Sequence, residues 1–487
     1  MALIDDGHPW LTVFSWARWR RGRVSALVVC SVACCALLAL STYACSSEQE
    51  SEPATTTPGA GGSAGSGGAG DGGLNIGAQD GLGGGVFGPC SDHAGQTYCN
   101  GHVWTECSDS GQVVSEENCQ VGGTCSPSTC VDGQGCVLCQ DGQYWCDGPY
   151  LKRCNTSASP VEWEVVETCA AGQACDVQNA ACTSIQIVGG TQPTGVYFQY
   201  AHFVYEAGVS TGPYRGGMDV GGYGDYLYVH REASGGLYGA DPTAPLGVDV
   251  YQVELLDSDG DGELEPNQHP DDPDNPGPIE ERVLTYIETY EVSLGIMHCA
   301  EIYALSDRLF SIPCSGIVNE YVFNTGVTTA VVSPTQPAQA SHLGFDDINQ
   351  MWIVGHENRQ VQLFHEGSGQ WVPIFQYPDM AGSHGDGLEV VTDPKTGTPY
   401  VYVSDMTSDF LAQYRCDPAA GWVQENLFDY VGTAADYVEG MGFGPLRHFW
   451  VSTVEMDQGI GDWRNVLKEI GGSDLAEYVE EPEPTPR

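Results

Sequence analysis

Tyr226-Leu-Tyr-Val229, Arg308-Leu-Phe-Ser-Ile312, Met351-Trp-Ile-Val354, Tyr400-Val-Tyr-Val403 and Phe449-Trp-Val-Ser452 are five copies of one short pattern. Each sets an aromatic residue among aliphatic or β-branched neighbours and follows a turn, which is the texture of a buried strand. The central aromatics Tyr228, Phe310, Trp352, Tyr402 and Trp450 are separated by 82, 42, 50 and 48 positions. The three short gaps each suit one four-stranded antiparallel unit, and repetition at that period points to radially repeated sheets. Two face-packed sheets are the competing arrangement.

Working outward, each aromatic strand is preceded by a strand rich in small residues. These begin Gly216-Gly-Met-Asp-Val220, His298-Cys-Ala-Glu-Ile302, Ser341-His-Leu-Gly-Phe345, Asp386-Gly-Leu-Glu-Val390 and Glu439-Gly-Met-Gly-Phe443. Each is followed by a hairpin: Val248–Leu256 with Arg282–Ile287, Glu320–Phe323 with Thr328–Val332, Val361–Phe364 with Trp371–Ile374, and Leu411–Tyr414 with Trp422-Val423. An insertion inside the first hairpin accounts for the 82-residue gap. Only Trp463–Ile470 carries helical spacing. The segment Ile185–Glu206 is either a sixth unit or the strand that closes the ring. Gly387-Leu-Glu-Val-Val-Thr-Asp-Pro-Lys-Thr-Gly397 and Glu439-Gly-Met-Gly-Phe443 resemble inner-strand motifs of NHL, gluconolactonase-like and phytase-like β-propellers. The expected fold is therefore mainly β: a β-propeller of five or six blades, preceded by a small disulfide-rich module.

The insertion, 257–281, holds Asp257-Ser-Asp-Gly-Asp-Gly-Glu-Leu-Glu-Pro-Asn-Gln268. Carboxylates at positions 1, 3 and 5 with Gly at 6 match the calcium loops of EF-hand and dockerin-like proteins. A hard cation needs alternating oxygen donors, and Gly262 permits the sharp turn. Asp257, Asp259 and Asp261 are the expected side-chain ligands, and Glu263 gives its carbonyl. Gln268 stands where that family places a bidentate Glu, so the substitute carboxylate is sought in His269–Asn275. If the insertion joins the third and fourth strands of a blade, it lies on the rim, and calcium there is structural.

The other candidate locus is the mouth of the pore. His298, Asp386 and Glu439 begin inner strands, with Ser341, His342 and His384 beside them. The resemblance implies that acids at such places bind calcium, and Asp386 and Glu439 are the positions carried over. A metal there could activate water. No Gly-x-Ser-x-Gly elbow and no His-Glu-x-x-His occurs, since His356-Glu-Asn358 lacks the second His.

The remainder of the chain says where it works. Of 487 residues, 17 are Lys or Arg and 65 are Asp or Glu, a net charge of -48 that argues against nucleic acid as a partner. Arg18–Arg23 precedes an apolar run, Val24–Leu40, and Tyr43-Ala-Cys-Ser46 resembles a bacterial lipobox, although Thr42 replaces the usual aliphatic residue. Residues 1–44 are thus expected to be a signal peptide, with Cys45 the lipid anchor and residues 45–86 a Gly-, Ala- and Ser-rich tether. Residues 87–184 form the disulfide module. Its two units are Cys90, Cys99, Cys107, Cys119, Cys125, Cys130 and Cys139, Cys146, Cys154, Cys169, Cys175, Cys182. Both contain a Cys-x7-Cys hairpin, Cys99/Cys107 and Cys146/Cys154, and then a Cys-x5-Cys, Cys119/Cys125 and Cys169/Cys175. Cys136 is left over, and spacing does not fix the connectivity. Were Cys299 to pair with Cys314, Cys136 and Cys416 would remain. The module resembles Cys-rich modules of surface lipoproteins from gliding soil bacteria. The propeller-like domain spans 185–472, and 473–487 is an acidic tail.

The expected function is an exported, lipid-anchored protein of the outer membrane or cell surface. Its calcium-stabilised propeller would be a binding platform for a protein or glycan. The alternative is a calcium-dependent hydrolase, of lactonase or phosphoesterase type, acting at the pore. The reading leans away from an enzyme.

Overall fold

The computed structural model describes the chain from residue 90 to residue 471, apart from 91–92, 101–102, 120–124, 127, 132–134, 206–213, 232–246, 293–300, 314, 336–339, 347–349, 381, 383, 394–397, 407, 409, 432–436 and 458–461. Cys45, the signal segment, the tether and the tail lie outside the described residues.

The described chain is mainly β. Its carboxyl-terminal part holds three four-stranded antiparallel sheets and one eight-stranded sheet, whose two four-stranded halves, joined by one parallel pairing, are described below as sheets four and five. Sheet one comprises Asp219–Tyr223, Tyr226–Arg231, Gly247–Leu256 and Glu281–Tyr290. Sheet two comprises Glu301–Leu305, Arg308–Ile312, Val318–Val322 and Val327–Val332. Sheet three comprises His342–Asp346, Met351–Gly355, Gln360–His365 and Gln370–Gln376. Sheet four comprises Gly385–Asp393, Thr398–Asp405, Phe410–Asp417 and Gly421–Val431. Sheet five takes Tyr437–Phe443, Phe449–Asp457 and Asp462–Gly471 from the end of the chain. Its fourth strand is Gly195–Tyr205, from before sheet one. The aromatic strands read from the sequence are the second strand of every sheet.

Gly195–Tyr205 is therefore the closing strand. It pairs antiparallel with Asp462–Gly471 and, at Gly195–Phe198, parallel with Phe428–Val431 of sheet four. Trp463–Ile470, which carries helical spacing, is strand. It lies between Phe449–Asp457 and the closing strand, and Asn465 through Glu469 are buried on both faces, so the usual polar alternation is lost.

The core occupies the spaces between sheets. Tyr228 and Val250 of sheet one meet Ile302 and Leu309 of sheet two. Phe310 and Ile312 of sheet two meet Leu343 and Val354 of sheet three. Ile353 and Phe375 of sheet three meet Leu388 and Tyr414 of sheet four. Tyr402 and Phe428 of sheet four meet Met441 and Phe449 of sheet five, with Tyr197 of the closing strand. Finally Trp450 and Leu467 of sheet five meet Leu227, Val229 and Tyr251 of sheet one. Five clusters thus link five sheets in cyclic order, and the fifth joins the last sheet to the first.

At that last junction the inner strands run backbone to backbone. A Cβ on Gly222 would lie 2.4 Å from the Gly444 Cα, and one on Gly442 would lie 2.5 Å from the Val220 carbonyl oxygen. Only glycine permits that approach. Ser452 donates to the Gly217 carbonyl at 2.6 Å across the same seam.

Seven disulfides occur among the described residues, and they correct the alignment of the cysteine repeat. In the second unit the pairs are Cys139–Cys154, Cys146–Cys175 and Cys169–Cys182. In the first they are Cys90–Cys107, Cys99–Cys130 and Cys119–Cys136. Both units thus join first to third, second to fifth and fourth to sixth cysteine. Cys130 matches Cys175, and Cys136 is the sixth member of its unit. The supernumerary residue is Cys125, which pairs with Cys416 of sheet four and staples the module to the sheets. Cys299 and Cys314 lie outside the described residues.

Candidate functional site

Three loci could carry function: the inner strands around the axis, the calcium-type loop, and the junction between the module and the sheets.

At the axis, the fourth residue of the aligned strand starts is the informative one. It is Asp219, Glu301, Gly344, Glu389 and Gly442 in sheets one to five. Glu301 is 1% exposed and accepts backbone N–H groups from Leu343 at 2.6 Å and Leu388 at 3.4 Å. A further bond comes from the Met441 backbone. One carboxyl of sheet two thus holds inner strands of sheets three, four and five. Glu389 is likewise buried, taking the N–H of Val390 at 2.8 Å and of Phe443 at 3.1 Å. Burial pushes both acids up, Glu301 well above the carboxylate range with Asp219 adding to it, and Glu389 to about 8. Carboxyls taken up by backbone donors in this way tie neighbouring inner strands together. The aligned starts expose them as an Asp/Glu/Gly/Glu/Gly column, three residues beyond the position favoured from sequence.

His342 is buried among them. Its Nδ1 lies 3.2 Å from the Gly387 N–H and its Nε2 lies 3.1 Å from the Gly385 carbonyl. Those partners assign the ring proton to Nε2. Asp386 lies beside it. Its Oδ1 is 3.6 Å from His342 Nε2 and its Oδ2 is 3.4 Å from His384 Nε2, and the His384 side chain is 36% exposed. Burial, chiefly, raises the Asp386 carboxyl well above its ordinary range, opposed by His342 and reinforced by Asp219 and Glu301. A carboxyl between two imidazoles can relay a proton. Ser341 is buried with its hydroxyl unpartnered. His298 lies outside the described residues. Glu439 falls on Tyr437–Phe443, with its side chain outside them.

The second locus is the acidic loop of the insertion. Oxygens of Asp257, Asp259 and Asp261 all lie within 4.8 Å of one another, the one such group of three or more potential ligands among the described residues. Asp257 accepts the N–H groups of Gly260 at 2.5 Å and Gly262 at 2.9 Å. Asp259 accepts from Asp261 at 3.1 Å and Asp261 from Glu263 at 2.8 Å. Gly262 has φ 90°, the left-handed region that the turn requires. The loop joins the third and fourth strands of sheet one, as expected. Glu265, at the exposed end, is pushed up by desolvation and by Asp261, Glu280, Asp259 and Glu263.

The third locus was not read from the sequence. Besides Cys125–Cys416, His365 of sheet three lies 3.3 Å from Asp147 and edge-on to Tyr150 of the module. Burial opposes ionisation of Asp147, but hydrogen bonds from His365 and Lys152 hold it below its usual range. Beside these contacts is a cleft of about 350 Å³, lined by Trp145, Gln178 and Asn179 of the module and by Ile374, Asp417 and Trp422 of the sheets. Flat aromatic surface, carboxamides and a carboxylate are the elements of a recognition cleft.

No protein family and no curated protein matches the chain. Among solved structures, U3-55K is similar at 11% identity, covering 76% of this chain and 90% of its own, with a TM-score of 0.23. The WD40 repeats of RRP9 are similar at 11% identity, 76% and 89% coverage and a TM-score of 0.23. Glutaminyl cyclase of Myxococcus xanthus is similar at 9% identity, 57% and 100% coverage and a TM-score of 0.28.

Proposed function

We propose that the five sheets are the blades of a closed β-propeller that serves as an extracytoplasmic binding platform for a protein or glycan. The observation that carries this reading is the contrast between axis and junction. Glu301 and Glu389 are occupied by backbone N–H groups, whereas the cleft of about 350 Å³ between module and sheets presents Trp422 with Asn179 and Asp417. Export through the signal segment and anchorage at Cys45 belong to the same reading. It is supported by the seven disulfides, which form and persist in oxidising compartments. Calcium at Asp257, Asp259 and Asp261 supplies rim stability and no chemistry. Nothing in the composition favours nucleic acid.

The test is tryptophan fluorescence during titration with a panel of oligosaccharides and peptides, in wild type and Trp422→Ala. The platform reading expects a saturable change that the variant loses. Saturable binding untouched in the variant would place recognition elsewhere. One observation favours a second reading, a hydrolase at the pore: Asp386 sits between His342 and His384 with His384 open to solvent. That reading expects calcium-dependent cleavage of lactones or phosphoesters that Asp386→Asn abolishes.

A further inference from the structure

The walls of the junction cleft are covalently braced. Cys125 borders it, tied to Cys416 of sheet four, and so do both members of the Cys146–Cys175 bridge. The chain entering the sheets is stitched to sheet three along the same border. Val188 donates to the Gln376 carbonyl at 2.8 Å, and Gln376 donates to the Gln186 carbonyl at 3.0 Å. Gly148, with φ 55°, lies so close to His365 that a Cβ would come 2.4 Å from its Cγ. Walls held in this way lose little freedom when a ligand enters.

Their charges are already partnered. Among the described residues lining the cleft, Asp176 and Asp417 carry charge, and there is no Lys, Arg or His. Asp176 takes the Asn179 N–H at 3.0 Å on one oxygen and the Asn179 carboxamide at 2.7 Å on the other. Asp417 takes the N–H groups of Ala419 and Ala420, both at 2.8 Å, and lies 3.7 Å from the Arg415 guanidinium. Both carboxylates are thus taken up by turns. The Trp145 ring carries the Lys152 ammonium at 5.0 Å, and that ammonium is paired with Asp147. An anionic ligand would meet two carboxylates and no base, on a chain of net charge -48. A cationic ligand would find the acids and one of the two aromatic rings engaged.

The groups left to a ligand are uncharged. Trp422 is half-buried, its ring 5.2 Å from that of buried Phe375, with Ile374 beside it on the cleft wall. Gln178 is exposed, and its carboxamide makes no hydrogen bond among the described residues. A flat apolar surface next to a group that both donates and accepts suits a sugar ring, whose C–H face is apolar and whose hydroxyls do both. A cleft of about 350 Å³ is the size of a small-ligand site. A stable protein partner needs a face of about 800 Å².

We infer that the junction cleft binds an uncharged glycan, stacked on Trp422 and hydrogen-bonded by Gln178, and refuses acidic ones. This rests on the platform reading and narrows it.

The experiment is fluorescence titration of the full chain, disulfides intact. The probes are cello-, xylo-, malto-, manno- and chitohexaose, the anionic hexamer of galacturonate, the cationic hexamer of glucosamine, and acidic, basic and proline-rich peptides. At least one uncharged hexamer should saturate, with an affinity that changes less than about twofold between about 50 and 500 mM sodium chloride. Trp422→Ala should weaken that binding at least about tenfold. Gln178→Ala should weaken it about threefold, and its exposed position separates lost binding from lost fold. A charged hexamer or a peptide that binds as tightly through Trp422 overturns the uncharged-glycan assignment and leaves the platform reading standing. An uncharged hexamer that binds equally in both variants overturns the cleft as its seat. If no uncharged hexamer binds, the assignment fails, and if no probe binds saturably, the platform reading fails with it.

Discussion

Replacing Glu389 by Gln should flatten part of the pH dependence of stability. Glu389 is 4% exposed, and burial lifts its carboxyl from an ordinary 4.5 to about 8 against the two N–H bonds from Val390 and Phe443. Below pH 4.5 the group carries a proton in both folded and unfolded chains, and its contribution is fully present. Between 4.5 and about 8 the unfolded chain ionises while the folded chain keeps its proton, so stability falls as pH rises. Above about 8 the loss is complete. That interval corresponds to on the order of 5 kcal/mol. Glutamine cannot titrate. It keeps one carbonyl acceptor and faces the second N–H with a donor, a pH-independent cost of about 1–3 kcal/mol. Denaturant unfolding of both proteins at pH 4.5, 6, 7 and 8 isolates the effect, because Glu301 titrates in both. The variant should be the less stable at pH 4.5, and should gain on wild type steadily, by on the order of 5 kcal/mol at pH 8. A difference that stays constant across the series would refute the claim that Glu389 is a buried neutral clasp.

Other perturbations have equally definite outcomes. Glu455 behaves oppositely: burial notwithstanding, His202, Arg464 and Lys468 hold it at about 2. Its stabilisation is present above about 4.5 and lost toward pH 2, so Glu455→Gln should cost about 1–2 kcal/mol at pH 7, after solvent screening, and nothing at pH 2. Arg282→Ala strands Glu469, buried with His448, and should cost about 3–5 kcal/mol in the same unfolding assay. The double substitution Cys125→Ser/Cys416→Ser opens a link across 291 positions and should lower stability by up to about 5 kcal/mol. Peptide mapping of the unreduced wild type should recover these two cysteines on linked fragments.

The strands were legible because their aromatics recur at one spacing and lie inside, as Tyr402 and Trp450 do. The closing role of Gly195–Tyr205 was legible only as one of two options, since parallel pairing with Phe428–Val431 leaves no local mark. Asp462–Gly471 misleads because both its faces are covered, so Val466, Leu467 and Ile470 mimic helical spacing. The acidic loop is local, so the grouping of Asp257, Asp259 and Asp261 could be read residue by residue. The cysteine repeat was visible, but an extra Cys125 shifted its alignment. Its pairing to Cys416 is a tertiary fact that no spacing encodes.

The measurement that bears most directly on the closed ring is a double-mutant cycle between Leu227 of sheet one and Leu467 of sheet five. Both are wholly buried in one cluster, 240 positions apart in sequence, and they belong together only if the last sheet packs on the first. Unfolding free energies of wild type, Leu227→Ala, Leu467→Ala and the double variant should show a coupling of about 0.5–3 kcal/mol. Additive losses, within about 0.3–0.5 kcal/mol, would mean that the two sheets do not meet and that the ring is open.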